Sequence, residues 1–371
     1  MLKFEIEKRD GLARVGVIHT PHGEIKTPAF VGAATRAAVK AVMMEQMRDL
    51  GSQAILANTY HLILRPGADL VREGGGLAKF SAWDGPTFTD SGGFQIFSLP
   101  NVKISEHGVK FKSHIDGRNF EMTPESSMQD QWKIGADIHM AFDHLAKSES
   151  RDDMKEAMER THAWLDRCVV ENAKLAKKAQ KSGEPEQYLY AVVQGGTFND
   201  LRAQSAEYCK SKNPDGFGIG GVFTAEGMVE MLKTVDGILP EDKPRHLLGM
   251  GQEPVDLFVG AEFGIDTFDC VGPTRMARNG SLYTNDGRIN IKNAKYTHDF
   301  TPLMSDCDCL CCQNYTKAYL HHLFKTDEIT AKTIASIHNE YFIVHVVDRI
   351  RESLIEGTFQ NYRNSFLARY Y

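Results

Sequence analysis

The chain has 371 residues, 42% hydrophobic and 25% charged, with a formal net charge of −6, the make-up of a soluble globular protein. No run approaches ~20 continuous apolar residues, which excludes a membrane-spanning helix. The acidic balance excludes indiscriminate nucleic-acid binding but permits a local basic patch, which is what a specific reader needs. The N-terminus, Met1-Leu-Lys-Phe-Glu-Ile-Glu-Lys8, alternates in charge and lacks the apolar core of a signal peptide, so a cytoplasmic protein is expected.

In chain order, apolar and polar residues alternate across Phe4, Ile6, Ala13, Val15 and Val17 around Asp10-Gly11, which predicts a β-hairpin. From Ala29 onward short apolar runs alternate with longer segments of helical periodicity. Strands are predicted at 29–32, 54–58, 87–90, 138–143, 189–194, 216–220, 245–249 and 266–270. Helices are predicted at 37–49, 124–135, 151–181, 199–211, 225–237 and 254–263. Thr123-Pro124-Glu125 is a cap followed by Pro at the first helical position, and Pro254 repeats the device. Met154, Ala157, Met158, Thr161, Leu165 and Cys168 recur at helical spacing and form a core stripe. Eight strands alternating with helices predict a (β/α)8 barrel. A doubly wound open sheet is the alternative, but no Gly-x-Gly-x-x-Gly follows the first strand. With no linker or internal repeat, residues 1–371 are expected to form a single catalytic barrel domain with insertions.

In such a barrel the C-terminal ends of the strands make the active face. Those ends carry Asn58, Asp90, Asp143, Gln194, Gly220-Gly221 and Asp269, groups that are costly to bury without a purpose. The stretch from Gly264 to Gly280 organises the rest. An apolar strand ends near Asp269, Gly272-Pro273 turns the chain out of the sheet, and Arg275 and Arg278 follow. A turn-capping Asp beside two solvated arginines is the plain alternative. Gly-Gly pairs at 92–93, 195–196 and 220–221 let a ligand approach bare backbone N–H groups. Two facing carboxylates suit nucleophile and acid/base roles in glycosyl transfer. Three aspartates holding a divalent metal remain the competing reading.

Cys307, Cys309, Cys311 and Cys312 crowd within six residues, which favours metal over disulfide in a cytosolic chain. Cys307-x-Cys309-x-x-Cys312 with His338, on an amphipathic segment at 328–356, suits a closed, structural Zn²⁺ site. Cys311 competes with its neighbours, and His321, His322 and His345 compete with His338. Between the strand-end Asp and this knot stand Arg275, Arg278, Arg288, Lys292 and Lys295 against one acid, Asp286. A solvated face is the common explanation of such a run; here it reads as a phosphate-backbone footprint.

Thr89-Asp-Ser-Gly-Gly-Phe-Gln95, Asn58-Thr-Tyr-His-Leu62, Val193-Gln-Gly-Gly196, Gly216-Phe-Gly-Ile-Gly-Gly221, Phe268-Asp-Cys-Val-Gly-Pro-Thr-Arg275 and the Cys/His set resemble tRNA-guanine transglycosylase, nearly end to end and in order. The resemblance implies an irregular (β/α)8 TIM barrel with an N-terminal β-hairpin and a late zinc-binding subdomain at about 300–345. It implies exchange of the wobble guanine in GUN-anticodon tRNAs (those for Asp, Asn, His and Tyr) for a 7-deazaguanine, in queuosine modification. Asp269 would be the nucleophile at ribose C1′ and Asp90 the general acid/base. Ser91, Gly92, Gly93, Phe94, Asp143, Gln194, Gly221 and Leu248 would bind the base. Met250, Gly251, Gln252, Glu253, Pro254, Val255 and Asp256 would contact RNA, as would Thr274, Arg275, Met276, Ala277 and Arg278. Zinc, held by Cys307, Cys309, Cys312 and His338, would be structural, and the protein a homodimer. A covalent route suits the chemistry, because exchange with retention at C1′ needs a double displacement on an extruded nucleotide. The rival is a catalytically silent tRNA-binding partner subunit, which would be expected to lose Asp90 or Asp269. The chain departs from the usual bacterial form at Phe30-Val-Gly-Ala-Ala-Thr35, at Phe142-Asp-His-Leu145 and at Thr224. The last two are expected at the pocket for the 7-substituent, leaving preQ1 and queuine both open with a slight lean to queuine.

Overall fold

The computed structural model describes residues 1–220 and 225–371, with side chains of 225 and 226 left aside. Gly221 and Thr224 therefore lie outside the described residues. Eight parallel strands close into a barrel: Ala29–Ala33, Ile55–Ala57, Thr87–Thr89, Ile138–Met140, Tyr188–Val193, Gly216–Ile219, Arg245–Leu247 and Thr267–Cys270. The last strand pairs with the first, Thr267 opposite Ala29 and Asp269 opposite Val31. Both faces of each strand are covered, so the strands read as continuous apolar runs. Val31, Leu56, Phe88, Met140, Tyr190 and Val192 share the interior cluster. Phe30, Ile55, Leu189 and Ala191 alternate with them and pack in the outer layer of strands and helices.

The expected N-terminal hairpin is the first part of a three-stranded antiparallel sheet, Lys3–Asp10, Ala13–Thr20 and Gly23–Thr27. Its Leu2, Ile18 and Ile25 join the interior cluster, so the sheet closes the floor of the barrel. Buried Arg14 fixes it there, donating through Nε to Asp266 Oδ1 at 2.9 Å and to the carbonyls of Glu241 and Lys243. Asp266 also accepts the backbone N–H of Arg245 at 2.6 Å.

Helices form at Pro124–Ile134, Arg151–Ser182, Asn199–Ser211, Ala225–Asp236 and Pro254–Glu262, close to expectation. Thr123 caps the first of these, its side chain accepting Ser126 N–H. The helix expected over 37–49 forms only at Met44–Asp49. Upstream, Ala37 and Ala41 hold φ of +56° and +65°, a left-handed conformation that no helix continues through. Three short helices, Thr59–Leu64, Ala68–Glu73 and Gly76–Ser81, follow the second barrel strand, and a small antiparallel sheet spans Lys103 to Met122. Both were unexpected. After the last barrel strand come a helix at Gly272–Arg278 and a hairpin, Ser281–Thr284 with Gly287–Asn290. The long helix Ile329–Glu356 packs against this segment and the first barrel strand. A second core cluster joins Ala277, Leu282, Ile291, the four clustered cysteines, Leu320 and Ile334.

Candidate active site

Phe268 and Cys270 pack in the outer layer, so alternation along the strand turns Thr267 and Asp269 into the barrel. Asp269 is buried at the barrel mouth. Its Oδ1 accepts Gly249 N–H at 2.9 Å and Nε2–H of His246 at 3.1 Å. Oδ2 accepts no hydrogen bond among the described residues. The positive φ of Gly249, +70°, aims that amide inward.

Asp90 stands at the end of the third strand. Its Oδ1 accepts Thr59 N–H at 2.9 Å and Gly92 N–H at 3.1 Å. Its Oδ2 accepts Asn58 Nδ2–H and, at 3.0 Å, Gln95 Nε2–H. Burial pushes the carboxyl up to about 6, the donors from Asn58, Thr59 and Gln95 opposing it and the charge of Asp269 adding to it. The two carboxylates sit in different environments, Asp90 taking four donors and Asp269 two among the described residues.

Asp143 follows the fourth strand. It accepts Ser91 Oγ–H at 2.6 Å and Gln194 Nε2–H at 2.7 Å, and burial raises its pKa. A Cβ at Gly93 would stand 2.8 Å from the Asp143 carbonyl oxygen, so only glycine lets this loop close on Asp143. Phe94, on the short helix Gly93–Phe97, is 65% exposed, an apolar side chain offered to solvent beside a polar cradle. Leu248 packs against the interior cluster. Ser91, Gln194 and Asp143 form one hydrogen-bonded group, and Asp90 and Asp269 stand at strand ends of the same barrel mouth.

The outer rim is more mixed. Arg275 and Gln252 are exposed, and Met250, Glu253, Val255, Met276 and Arg278 half-buried. Gly251, Pro254, Asp256, Thr274 and Ala277 are buried. Partial desolvation, then the charges of Arg278, Arg36 and Arg275, hold Lys40 below its ordinary value. Arg36 and Lys40 therefore join the basic rim, which sequence reading missed because they lie far away in the chain. His246, Thr59 and Gln95 were likewise given no role of their own. A His at inward register beside the Asp269 strand was the available signal. His144 is buried, its ring packed near Phe97 and Trp164 and its Nδ1 accepting from Arg160 at 3.1 Å.

Cys307, Cys309, Cys312 and His338 bring their ligand atoms within 4.8 Å of one another, all four residues buried. His338 Nε2–H donates to the Tyr283 carbonyl at 2.8 Å, which leaves Nδ1 free to face the thiols, the usual way a ligating imidazole is oriented. The competitors are placed elsewhere. His321 donates Nδ1–H to the Ile291 carbonyl, His322 is exposed, and His345 stacks on Tyr341. The cluster fits a four-coordinate metal ion. Among the described residues it is the one group of three or more such side chains close enough to share an ion. The three strand-end aspartates are thus not drawn together as a metal triad.

A closed (β/α)8 barrel with two carboxylates held in different hydrogen-bond settings, a polar cradle and a basic rim at its mouth defines a barrel enzyme with the groups that transfer at a glycosidic bond calls for. The sequence profile of the family described as queuine tRNA-ribosyltransferase matches residues 9–371. A queuine tRNA-ribosyltransferase of Desulforamulus reducens is 45% identical, over 99% of this chain and 98% of its own. That of Pelotomaculum thermopropionicum is 46% identical over 96% and 95%, and that of Fusobacterium nucleatum 44% over 99% and 98%. The chain belongs to the queuine tRNA-ribosyltransferase family and is a tRNA-guanine transglycosylase, a pentosyltransferase of queuosine modification.

Proposed function

We propose that the enzyme exchanges the wobble guanine of GUN-anticodon tRNAs (Asp, Asn, His, Tyr) for a 7-deazaguanine by double displacement, with residues 1–371 acting as one catalytic domain. Asp269 attacks C1′ and holds the ribose as a glycosyl ester. Asp90 gives a proton to the departing base and later takes one from the incoming base. The observation that carries this reading is the contrast between the two carboxylates. Asp269 has one oxygen fixed and the other unbonded among the described residues, whereas Asp90 is a carboxyl pushed up to about 6, fit to hold a proton near neutrality.

Asp143 and Gln194, with Ser91, Gly92 and Gly93, read the base edge, joined in that role by Gly221, which lies outside the described residues, and Phe94 and Leu248 cover the base faces. Met250 to Asp256 and Thr274 to Arg278 hold the RNA, the exposed guanidinium of Arg275 and the half-buried Arg278 meeting phosphates. The metal is zinc, one per chain, and structural, since three thiols and one imidazole leave no open position in the about 300–345 subdomain. The enzyme works in the cytoplasm as a homodimer; Phe300, Leu310, Tyr319 and Ile329, exposed in the segment that carries the metal cluster, offer apolar surface for a second copy. Exchange of radiolabelled guanine into a GUN-anticodon tRNA tests the reading. Wild type is expected to incorporate label, and Asp269→Ala and Asp90→Ala to incorporate none. No incorporation by the folded, zinc-loaded wild type would leave a tRNA-binding subunit instead.

A further inference from the structure

We infer that His246 is a positioning residue for the nucleophile, pinning Oδ1 of Asp269 so that Oδ2 is the oxygen that attacks. The inference rests on the proposal that Asp269 is the nucleophile. A carboxylate accepts only, so Nε2 carries the proton of the His246–Asp269 hydrogen bond at 3.1 Å. In the neutral ring Nδ1 then accepts, and Thr267 Oγ1–H supplies that bond at 2.9 Å. Thr267 lies opposite His246 in the strand pair and two residues before Asp269, so the nucleophile's own strand fixes the tautomer of the group that holds it. The ring is fully buried and stacks on Phe88, centroids 5.4 Å apart and planes 28° apart. Burial and this contact hold the ring between Phe88 and Asp269. Gly249 N–H alone would leave the carboxylate free to rotate about its last bond; with His246 both donors converge on Oδ1.

The two donors serve both halves of the exchange. In the first, Oδ2 forms a bond to C1′ as the C1′–N bond breaks, its electron pair leaving with the base, which takes the Asp90 proton. Oδ1 becomes the carbonyl oxygen of the ester and keeps its two donors. In the second, the incoming nitrogen bonds C1′ and gives its proton to Asp90. The C1′–Oδ2 pair returns to the carboxylate, and the charge reappearing on Oδ1 meets the same donors. A histidine that merely fills the interior would be replaced without loss by a ring of similar size.

The experiment measures the rate of SDS-resistant enzyme–tRNA complex formation in a single turnover, alongside tRNA affinity and melting temperature. His246→Phe keeps the ring and removes the donor, and His246→Gln restores an N–H at a similar reach. His246→Phe is expected to slow complex formation on the order of 10–100-fold, the scale of a misaligned reacting group. Its tRNA affinity should stay within about threefold of wild type, and His246→Gln should recover most of the rate. Should His246→Phe not fold, Thr267→Val, which removes the anchor of Nδ1, is expected to slow the step several-fold. A folded His246→Phe reacting at the wild-type rate, a His246→Gln no faster than His246→Phe, a loss confined to tRNA affinity, or an unaltered Thr267→Val would each overturn the inference. Complex formation by Asp269→Asn would instead overturn the nucleophile assignment, and so separates the two failures.

Discussion

Replacing Asp143 with asparagine tests the base-reading role at the level of single hydrogen bonds. The carboxylate accepts one bond from Ser91 Oγ at 2.6 Å and one from Gln194 Nε2 at 2.7 Å. A carboxylate offers about four lone-pair positions, so two remain for the ring N–H and exocyclic amine of a guanine-like base. Asp143→Asn turns one acceptor oxygen into a donor. It forfeits a charge-assisted bond of about 1.5–3 kcal/mol and opposes two N–H groups. Together about 3–5 kcal/mol is lost, or roughly 10²–10⁴-fold in kcat/KM for the base at 1.4 kcal/mol per decade. The free protein should suffer little, because Gln194 can flip its amide and present oxygen to the new donor, holding the stability loss below about 1 kcal/mol. Initial rates of guanine exchange at saturating tRNA, with guanine varied, read the effect, and a thermal melt checks the fold. A folded variant with kcat/KM for guanine within threefold of wild type would refute the reasoning.

Three further outcomes are expected. Asp90 is pushed up to about 6, so it is protonated below that pH and ionised above it. The half-reaction that needs the acid should slow as pH rises through about 6, and the half that needs the base should slow as pH falls through it. Both limbs should vanish from the residual rates of Asp90→Asn in stopped single-turnover assays. Arg14→Met strands Asp266, whose side chain is 0% exposed, and should cost about 3–5 kcal/mol in denaturant unfolding, the scale of an uncompensated buried charge; Arg14→Met with Asp266→Leu should recover much of it. Removing metal with a chelator, or His338→Ala, should lower the melting temperature and the metal content together, because the buried Cys/His set joins the second core cluster.

The barrel was legible because its strands are buried on both faces and end on polar groups. Even the three-residue strand Ile55–Ala57 announced itself through Asn58. The helix expected at 37–49 starts only at Met44, because the chain turns left-handed at Ala37 and Ala41 despite the helix propensity of alanine. The small sheet gives a weak signal in sequence, since its strands are two to four residues long, although Val109-Lys-Phe-Lys112 alternates with burial. In the site, Asp269, Asp90, Asp143 and Gln194 were readable as strand ends. Their pairing was not, because Asn58 and Thr59 reach Asp90, Gln194 reaches Asp143 and His246 reaches Asp269 from segments 23 to 51 residues away. His246 lies 23 residues from Asp269 and, between Arg245 and Leu247-Leu248, reads as an ordinary strand histidine. Spacing likewise could not choose among four histidines for the metal. Only tertiary structure sends His338 to the thiols and His321 to a backbone carbonyl.

The most direct measurement of the double displacement is the chemical location of the intermediate. Enzyme mixed with GUN-anticodon tRNA would be denatured at early time, digested with nuclease and protease, and the peptide spanning 264–278 examined by mass spectrometry. A ribonucleotide ester on Asp269, lost on addition of guanine before denaturation, is the expected result. An adduct on Asp90 or elsewhere, or exchange proceeding at full rate with no adduct at any time, would contradict it.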